Sequence, residues 1–226
     1  MLLSVVIPIF NEARHLSDVL QRVRAVPMEK ELICVDDCSS DDTWAILQEE
    51  SQKPGTSVFR HARNMGKGAA VRTGLGQVRG DVVIIQDADL EYEPNDYIKL
   101  LEPIRRGECQ VVYGSRFLGR PEAMSLSSAL GNRFVTTVAN ALFRTRLTDL
   151  ETCYKVFTAD IAQRLQLVSP RWGFDPEITA KIVRMGYTIR EVPISYHGRT
   201  VLEGKNLRWH DGFSVLFTLL RFRFLP

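Results

Sequence analysis

The chain has 226 residues, 45% hydrophobic and 25% charged, which is enough for one large α/β core or two small ones. Its 29 Lys+Arg stand against 27 Asp+Glu, so the net charge of +2 gives no call for a nucleic-acid partner and any anion site has to be local. Cys34, Cys38, Cys109 and Cys153 form no CxxC pair and have no histidine at zinc spacing, which argues against a zinc site and reads as the reduced thiols of a cytoplasmic protein.

The opening MLLSVVIPIF lacks a basic n-region and a small-residue cleavage site, and its apolar run is broken by Pro8 and closed by Asn11-Glu12. It reads as a first strand, residues 3–9. Ala13, Leu16, Val19, Leu20 and Val23 then recur at helical steps, with Asn11 as the expected N-cap. A second strand is expected over 32–35, and Ser39-Ser40-Asp41 ahead of Trp44 and Leu47 reads as the cap of a second helix. A short strand at 57–60, a glycine-led helix at 66–78, an apolar strand at 82–86 and a strand at 111–113 complete a βαβ series around a mostly parallel sheet. Beyond about Gly119 the pattern changes to helices broken by polar loops, with one later strand at 189–194. No run reaches the ~18 apolar residues of a membrane span, so the chain reads as soluble or peripheral. With no repeat or linker, residues 1–226 read as one domain, 1–118 forming one half and 119–226 the other.

In open α/β sheets the ligand crevice lies beyond the carboxyl ends of the strands, and four polar clusters fall there. The first is Asp87-Ala88-Asp89, after VVIIQ. Two carboxylates this close repel unless a cation joins them, and hard oxygen ligands suit Mg²⁺ or Mn²⁺; the plain alternative is that they cap a helix beginning near Pro94. The second is Asp36-Asp37-Cys38-Ser39, which can accept from a base edge or a ribose hydroxyl, or can be plain turn chemistry. The third is Asn64-Met65-Gly66-Lys67-Gly68 at a helix start, which suits an anion or serves loop geometry alone; it is not a Walker A loop, because Lys67 precedes Gly68 and follows no GxxxxG, nor a dinucleotide fingerprint, because Val71 stands where a third glycine is needed. The fourth is a scatter of basic residues, Arg116, Arg133, Arg199 and Lys205, which are either phosphate contacts or solvated surface charges.

The ordered set PIFNE, VDDCSSDDT, NMGKGAAVRTG, DADLE, YGSRF and YHGRT followed by GK resembles the family-2 glycosyltransferases, and more narrowly the dolichyl-phosphate mannosyltransferase and polyprenyl-phosphate glucosyltransferase branch. The resemblance spans Val6 to about Trp209. It implies a GT-A type open, mostly parallel twisted sheet flanked by helices with a helical C-terminal part. The first half would then bind a nucleotide-diphosphate sugar, GDP-mannose or UDP-glucose in type, and the second a polyprenyl or dolichyl phosphate. The resemblance places Pro8, Phe10, Glu12, Asp36 and Asp37 in the nucleoside pocket, and Asp87 and Ala88 against the donor with Lys67 nearby. It makes Asp87 and Asp89 ligands of Mg²⁺ or Mn²⁺. Glu91 stands where relatives commonly carry glutamine and would add a third carboxylate to the ion site. Arg116 and Arg133 match positions that hold the acceptor phosphate, and Arg199 and Lys205 those that close over the diphosphate. The segment TDLETCYKVF departs from the DxxSGF-like sequence of several relatives and leaves Asp149, Glu151 and Lys155 without assigned roles.

The reaction implied is one in-line displacement with inversion. A polyprenyl phosphate is already largely an anion at neutral pH and needs no strong base. A sugar-hydroxyl acceptor in cell-surface glycan synthesis would need one, with Asp149 or Glu151 as candidates. An inactive nucleotide-binding homologue is the reading from another class. The C-terminal FSVLFTLLRFRFLP, residues 213–226, reads either as an amphipathic helix in the membrane interface on the cytoplasmic face or as a terminal helix packed on the sheet.

Overall fold

The computed structural model describes residues 1–119, 124–171, 173–198 and 211–224, with the backbone alone for 211–214. The chain order is β1 (Leu3–Ile9), α1 (Leu16–Ala25), β2 (Lys30–Asp36), α2 (Thr43–Glu50), β3 (Thr56–Arg60), α3 (Lys67–Leu75), β4 (Val82–Ile85), a 3-10 turn at Pro94–Asp96, α4 (Tyr97–Arg105), β5 (Val111–Ser115), α5 (Leu126–Phe143), β6 (Lys155–Thr158), α6 (Ala159–Arg164), α7 (Phe174–Arg184), β7 (Arg190–Pro193) and α8 (Asp211–Phe224). The strands form one sheet in the order β3-β2-β1-β4-β6-β5-β7. Among the described strands, only β6 runs antiparallel to its neighbours, β4 and β5.

All seven residues of β1 are buried, as expected of a central parallel strand covered on both faces. Pairing of β1 with β4 ends at Val6↔Ile85, whereas pairing with β2 continues to Ile9↔Asp36. Pro8, which has no N–H to give a ladder, therefore sits where β4 has already left its side. From that point β1 and β4 diverge. The sheet order also reverses between them, since the chain steps outward from β1 to β3 and returns to β4 on the other side. A crevice thus opens at the carboxyl ends of β1, β2 and β4, where a switch point puts it.

Several expectations are corrected. Asn11 does not cap α1: it holds a positive φ of 54° and accepts the Ser40 backbone N–H with Oδ1 at 2.8 Å, while α1 starts at Leu16 after a turn. Asp41 accepts from the backbone N–H groups of Thr43 and Ala13 at 3.1 Å, so it ties the two βα loops together and α2 begins later than its sequence suggests. The glycine-led helix ends at Leu75 and not at 78. Among its described residues the second half supplies two strands to the sheet, β7 and also β6, which begins within TDLETCYKVF.

The main core surrounds the sheet. A second apolar cluster joins α5, α7 and α8 through Val135, Ala139, Phe143, Ala180, Val215, Leu219 and Phe222. Burying each large side chain of this kind is worth about 1.5–3 kcal/mol, which fixes α8 on the second half. Among the described residues, no helix is long and apolar enough to cross a membrane.

Candidate active site

The acidic pair ends the central strand β4. Gln86 closes the ladder by donating its backbone N–H to the Val6 carbonyl at 2.9 Å, and the chain then turns away with Asp87 partly exposed and Asp89 buried. Asp89 Oδ1 accepts the Glu91 N–H at 3.0 Å, which fixes the turn. Neither carboxylate caps the following helical segment, because Glu93 does so, accepting the Asn95 N–H at 3.2 Å. The capping alternative therefore fails, and both groups remain at the crevice.

Lys67, the first residue of α3, places its ammonium 2.5 Å from Asp87 Oδ1. Burial opposes the charge on Lys67, but Asp87 outweighs it and the pKa lies above the ordinary lysine value. The helix start that carries Lys67 already has its anion. Asp37 accepts from the N–H groups of Met65 at 2.8 Å and Gly66 at 2.6 Å and from His61 Nδ1 at 2.6 Å. Gly66 sits at φ 93°, and a Cβ on Gly68 would collide with the Ser169 carbonyl, so these glycines serve close packing of the loop against residues 169–171. The Ala69 N–H is also taken, by the Pro170 carbonyl at 3.1 Å. The structure thus places Asp37 beneath the loop as its anchor. Asp36 is wholly buried, accepting the Ser39 N–H at 3.1 Å with Arg60 Nε 3.0 Å from its other oxygen, close but not aligned as a hydrogen bond. Phe10 is exposed at the crevice mouth, between Pro8 at the end of β1 and the partly buried Glu12.

Arg116 follows β5 at the same end of the sheet. Asp149 takes its guanidinium in a two-pronged grip, Nε to Oδ2 and Nη2 to Oδ1, both 2.7 Å, and also accepts its backbone N–H at 3.1 Å. Asp149 is itself fixed by Asn132 of α5, which donates at 3.1 Å. Glu191 of β7 accepts the backbone N–H groups of Thr148 and Asp149 at 2.8 and 3.0 Å, and burial raises its pKa. Planar two-point grips of this kind hold a guanidinium rigidly, leaving its third nitrogen, Nη1, for a ligand. Arg133, one residue on from Asn132, is exposed with its guanidinium 5.5 Å from the Phe117 ring centre.

Tyr196 links the two halves of this arrangement. Its hydroxyl donates to Glu91 Oε2 at 2.9 Å, and its ring lies 5.2 Å below the Arg116 guanidinium. Sequence reasoning passed over Tyr196 in YHGRT, and a tyrosine between a carboxylate and an arginine offers no signal until the fold joins 91, 116 and 196. Glu91, expected as a third ligand, is thereby turned toward Tyr196. Among the described residues no group of three His, Cys, Asp or Glu side chains could hold a metal ion. Asp87 and Asp89 still fit a Mg²⁺ or Mn²⁺ bound as such ions are in nucleotide sites, by one or two carboxylates with phosphate and water completing the shell. Arg199 and Lys205 lie outside the described residues.

Residues 4–165 match the model of Glycosyl transferase family 2. The chain belongs to that family. It is a glycosyltransferase, and its sheet is of the GT-A type. It is 29% identical to the undecaprenyl-phosphate mannosyltransferase of Micrococcus luteus over 212 residues, covering 88% of this chain and 85% of that protein. It is 36% identical over 120 residues to the dolichol-phosphate mannosyltransferase of Pyrococcus furiosus, a match covering 52% of this chain and 34% of that one. Glucosyl-3-phosphoglycerate synthase from Mycobacterium tuberculosis, solved in complex with phosphoglyceric acid, shares the fold with a TM-score of 0.75 at 22% identity, covering 99% of this chain and 80% of that chain.

Proposed function

We propose that this glycosyltransferase moves a hexose from a nucleotide-diphosphate sugar, GDP-mannose or UDP-glucose in type, to a polyprenyl phosphate with inversion at the anomeric carbon. The observation that carries the reading is Arg116, held by Asp149 on the same side of the sheet as Asp87 and Asp89 and joined to them through Tyr196 and Glu91. An acceptor phosphate oxygen attacks the anomeric carbon, the bond from that carbon to the donor diphosphate breaks, and the nucleoside diphosphate leaves with the electron pair. A divalent cation at Asp87 and Asp89 would neutralise charge on the leaving diphosphate. Arg116 and the exposed Arg133 orient the incoming phosphate, and Lys67 tempers the charge on Asp87. Phe10, Glu12 and the Asp36–Asp37 loop form the nucleoside side of the crevice.

A phosphate acceptor also agrees with the state of Asp149. It has both oxygens committed to Arg116 and Asn132, so it is not ready to deprotonate a sugar hydroxyl. The test is transfer of radiolabel from UDP-glucose and GDP-mannose to a short polyprenyl phosphate in detergent, beside a free-sugar acceptor. Labelled lipid with one donor and Mn²⁺ is expected; label reaching only the free sugar would favour the hydroxyl-acceptor reading.

The acceptor class has a consequence for the surface. On α8, Val215, Leu219 and Phe222 are buried while Phe217, Leu220 and Phe224 are exposed, so the helix packs on the core by one row and leaves the other bare. Helix α5 exposes Leu126, Leu130 and Phe134 at four-residue steps beside Arg133. Apolar rows flanked by Arg133, Arg221 and Arg223 suit an anionic bilayer surface, where a polyprenyl phosphate keeps its headgroup. Leu130→Asp with Phe134→Asp is expected to lower co-sedimentation with anionic liposomes at least about fivefold and to leave the melting temperature within a few degrees. Undiminished sedimentation would detach α5 from the membrane contact.

A further inference from the structure

Residues 149–153 span the two halves of the site. At one end Asp149 grips Arg116. At the other, Cys153 donates its N–H to the Tyr92 hydroxyl at 3.0 Å and its thiol to the Ile85 carbonyl at 3.5 Å, on the last residue of β4 and two residues before Asp87. The middle residue is Glu151. Its side chain is partly exposed, yet Oε1 is enclosed and has no hydrogen-bond partner. Leaving such an oxygen unsatisfied costs about 1–3 kcal/mol, and a polar atom kept at that cost between two half-sites points to a missing ligand.

The surroundings define what the ligand is. Lys155 of β6 is fully buried, but its ammonium is committed to Asp175 of α7 and to the Thr152 carbonyl, so it lies near Glu151 without binding it. Burial raises the Glu151 carboxyl to about 8, Asp175 and Asp149 adding to the rise while Lys155 and Arg116 oppose it. A protonated carboxyl both donates and accepts, as a pyranose hydroxyl does. The group being transferred must itself lie between the leaving diphosphate at Asp87 and the attacking phosphate at Arg116.

We propose that Glu151 is the subsite for a hydroxyl of the transferred sugar, and so a determinant of which hexose is accepted. This rests on the transferase reading above. It assigns a sugar-contacting role to a residue in the segment that departs from the family pattern.

The test is titration calorimetry of the full chain with Mn²⁺, comparing UDP with UDP-glucose and GDP with GDP-mannose, for wild type, Glu151→Gln and Glu151→Ala. The extra affinity that the sugar contributes over the bare diphosphate is expected to fall about tenfold in Glu151→Ala, as for a lost hydrogen bond to a substrate hydroxyl, and less than about threefold in Glu151→Gln. Bare diphosphate affinity should stay within about twofold in both. Among donors lacking one hydroxyl, the analogue that lacks the partner of Glu151 should bind wild type and Glu151→Ala alike. A sugar increment unchanged in Glu151→Ala overturns the proposal. Wild type that binds diphosphate with Mn²⁺ yet gains nothing from any hexose also overturns it while leaving the donor site standing, whereas failure to bind either diphosphate sinks the transferase reading first. The glutamine variant guards against misfolding, because it keeps the side-chain volume together with one donor and one acceptor for the sugar hydroxyl.

Discussion

Asp149→Ala is expected to lower sugar transfer to polyprenyl phosphate by at least about 100-fold while bare nucleotide affinity changes less than about twofold. The carboxylate makes three contacts with Arg116 and one with Asn132, and it is wholly buried. Removing it leaves the guanidinium without a counter-charge in a low-dielectric wall, which costs about 3–5 kcal/mol for a buried pair and frees the side chain to swing from the acceptor position. A stability loss alone could mimic the kinetic effect, so the informative partner is the double variant Arg116→Met, Asp149→Leu. Replacing both charges by apolar groups of similar volume is often neutral or stabilising by roughly 1–4 kcal/mol, so melting should recover while transfer does not. Recovery of transfer in the double variant would show that Arg116 does not handle the acceptor.

Asp89→Asn is expected to reduce turnover at least about 100-fold and to abolish the Mn²⁺ dependence of nucleotide binding, with the melting temperature within a few degrees of wild type. Asparagine preserves the side-chain oxygen that accepts the Glu91 N–H, so the turn after β4 survives and only the negative charge is lost. The comparison isolates electrostatics from loop geometry. Turnover within about threefold of wild type would remove Asp89 from the cation site.

Linkage adds a stability expectation for Glu151. Its folded-state pKa of about 8 stands above the ordinary 4.5, so above pH 4.5 the folded protein retains a proton that the unfolded chain has released. Stability therefore declines as pH rises from about 4.5 toward 8, and Glu151→Gln should flatten that part of the profile.

The parallel half of the fold is legible in the sequence because each buried strand reads as a short apolar run and α1 has a clean helical face. The acidic pair after β4 is legible for the same reason: an apolar run that ends in two carboxylates announces a strand end at a crevice. Local competition misleads elsewhere. Asn11 and Asp41 have cap chemistry, but each satisfies the neighbouring βα loop instead of its own helix. β6 escapes notice because its four residues include Lys155, whose burial makes sense only once Asp175, 20 residues on, arrives from α7. The partners of Arg116 are likewise invisible in one dimension, since Asp149 lies 33 residues away and Tyr196 much farther. Asp37 also accepts the Met65 and Gly66 N–H groups, a contact between residues 28 and 29 positions apart that its place after a strand does not reveal.

The central claim is that the carboxylates after β4 take a diphosphate through a divalent ion. Titration calorimetry of the wild-type chain with UDP and with GDP, each with Mn²⁺ and with EDTA, addresses it most directly. One nucleotide is expected to bind with Mn²⁺ at least about tenfold more tightly than with EDTA, a gain of ~1.4 kcal/mol or more. Equal affinity with and without the ion, or no binding of either nucleotide, would contradict it.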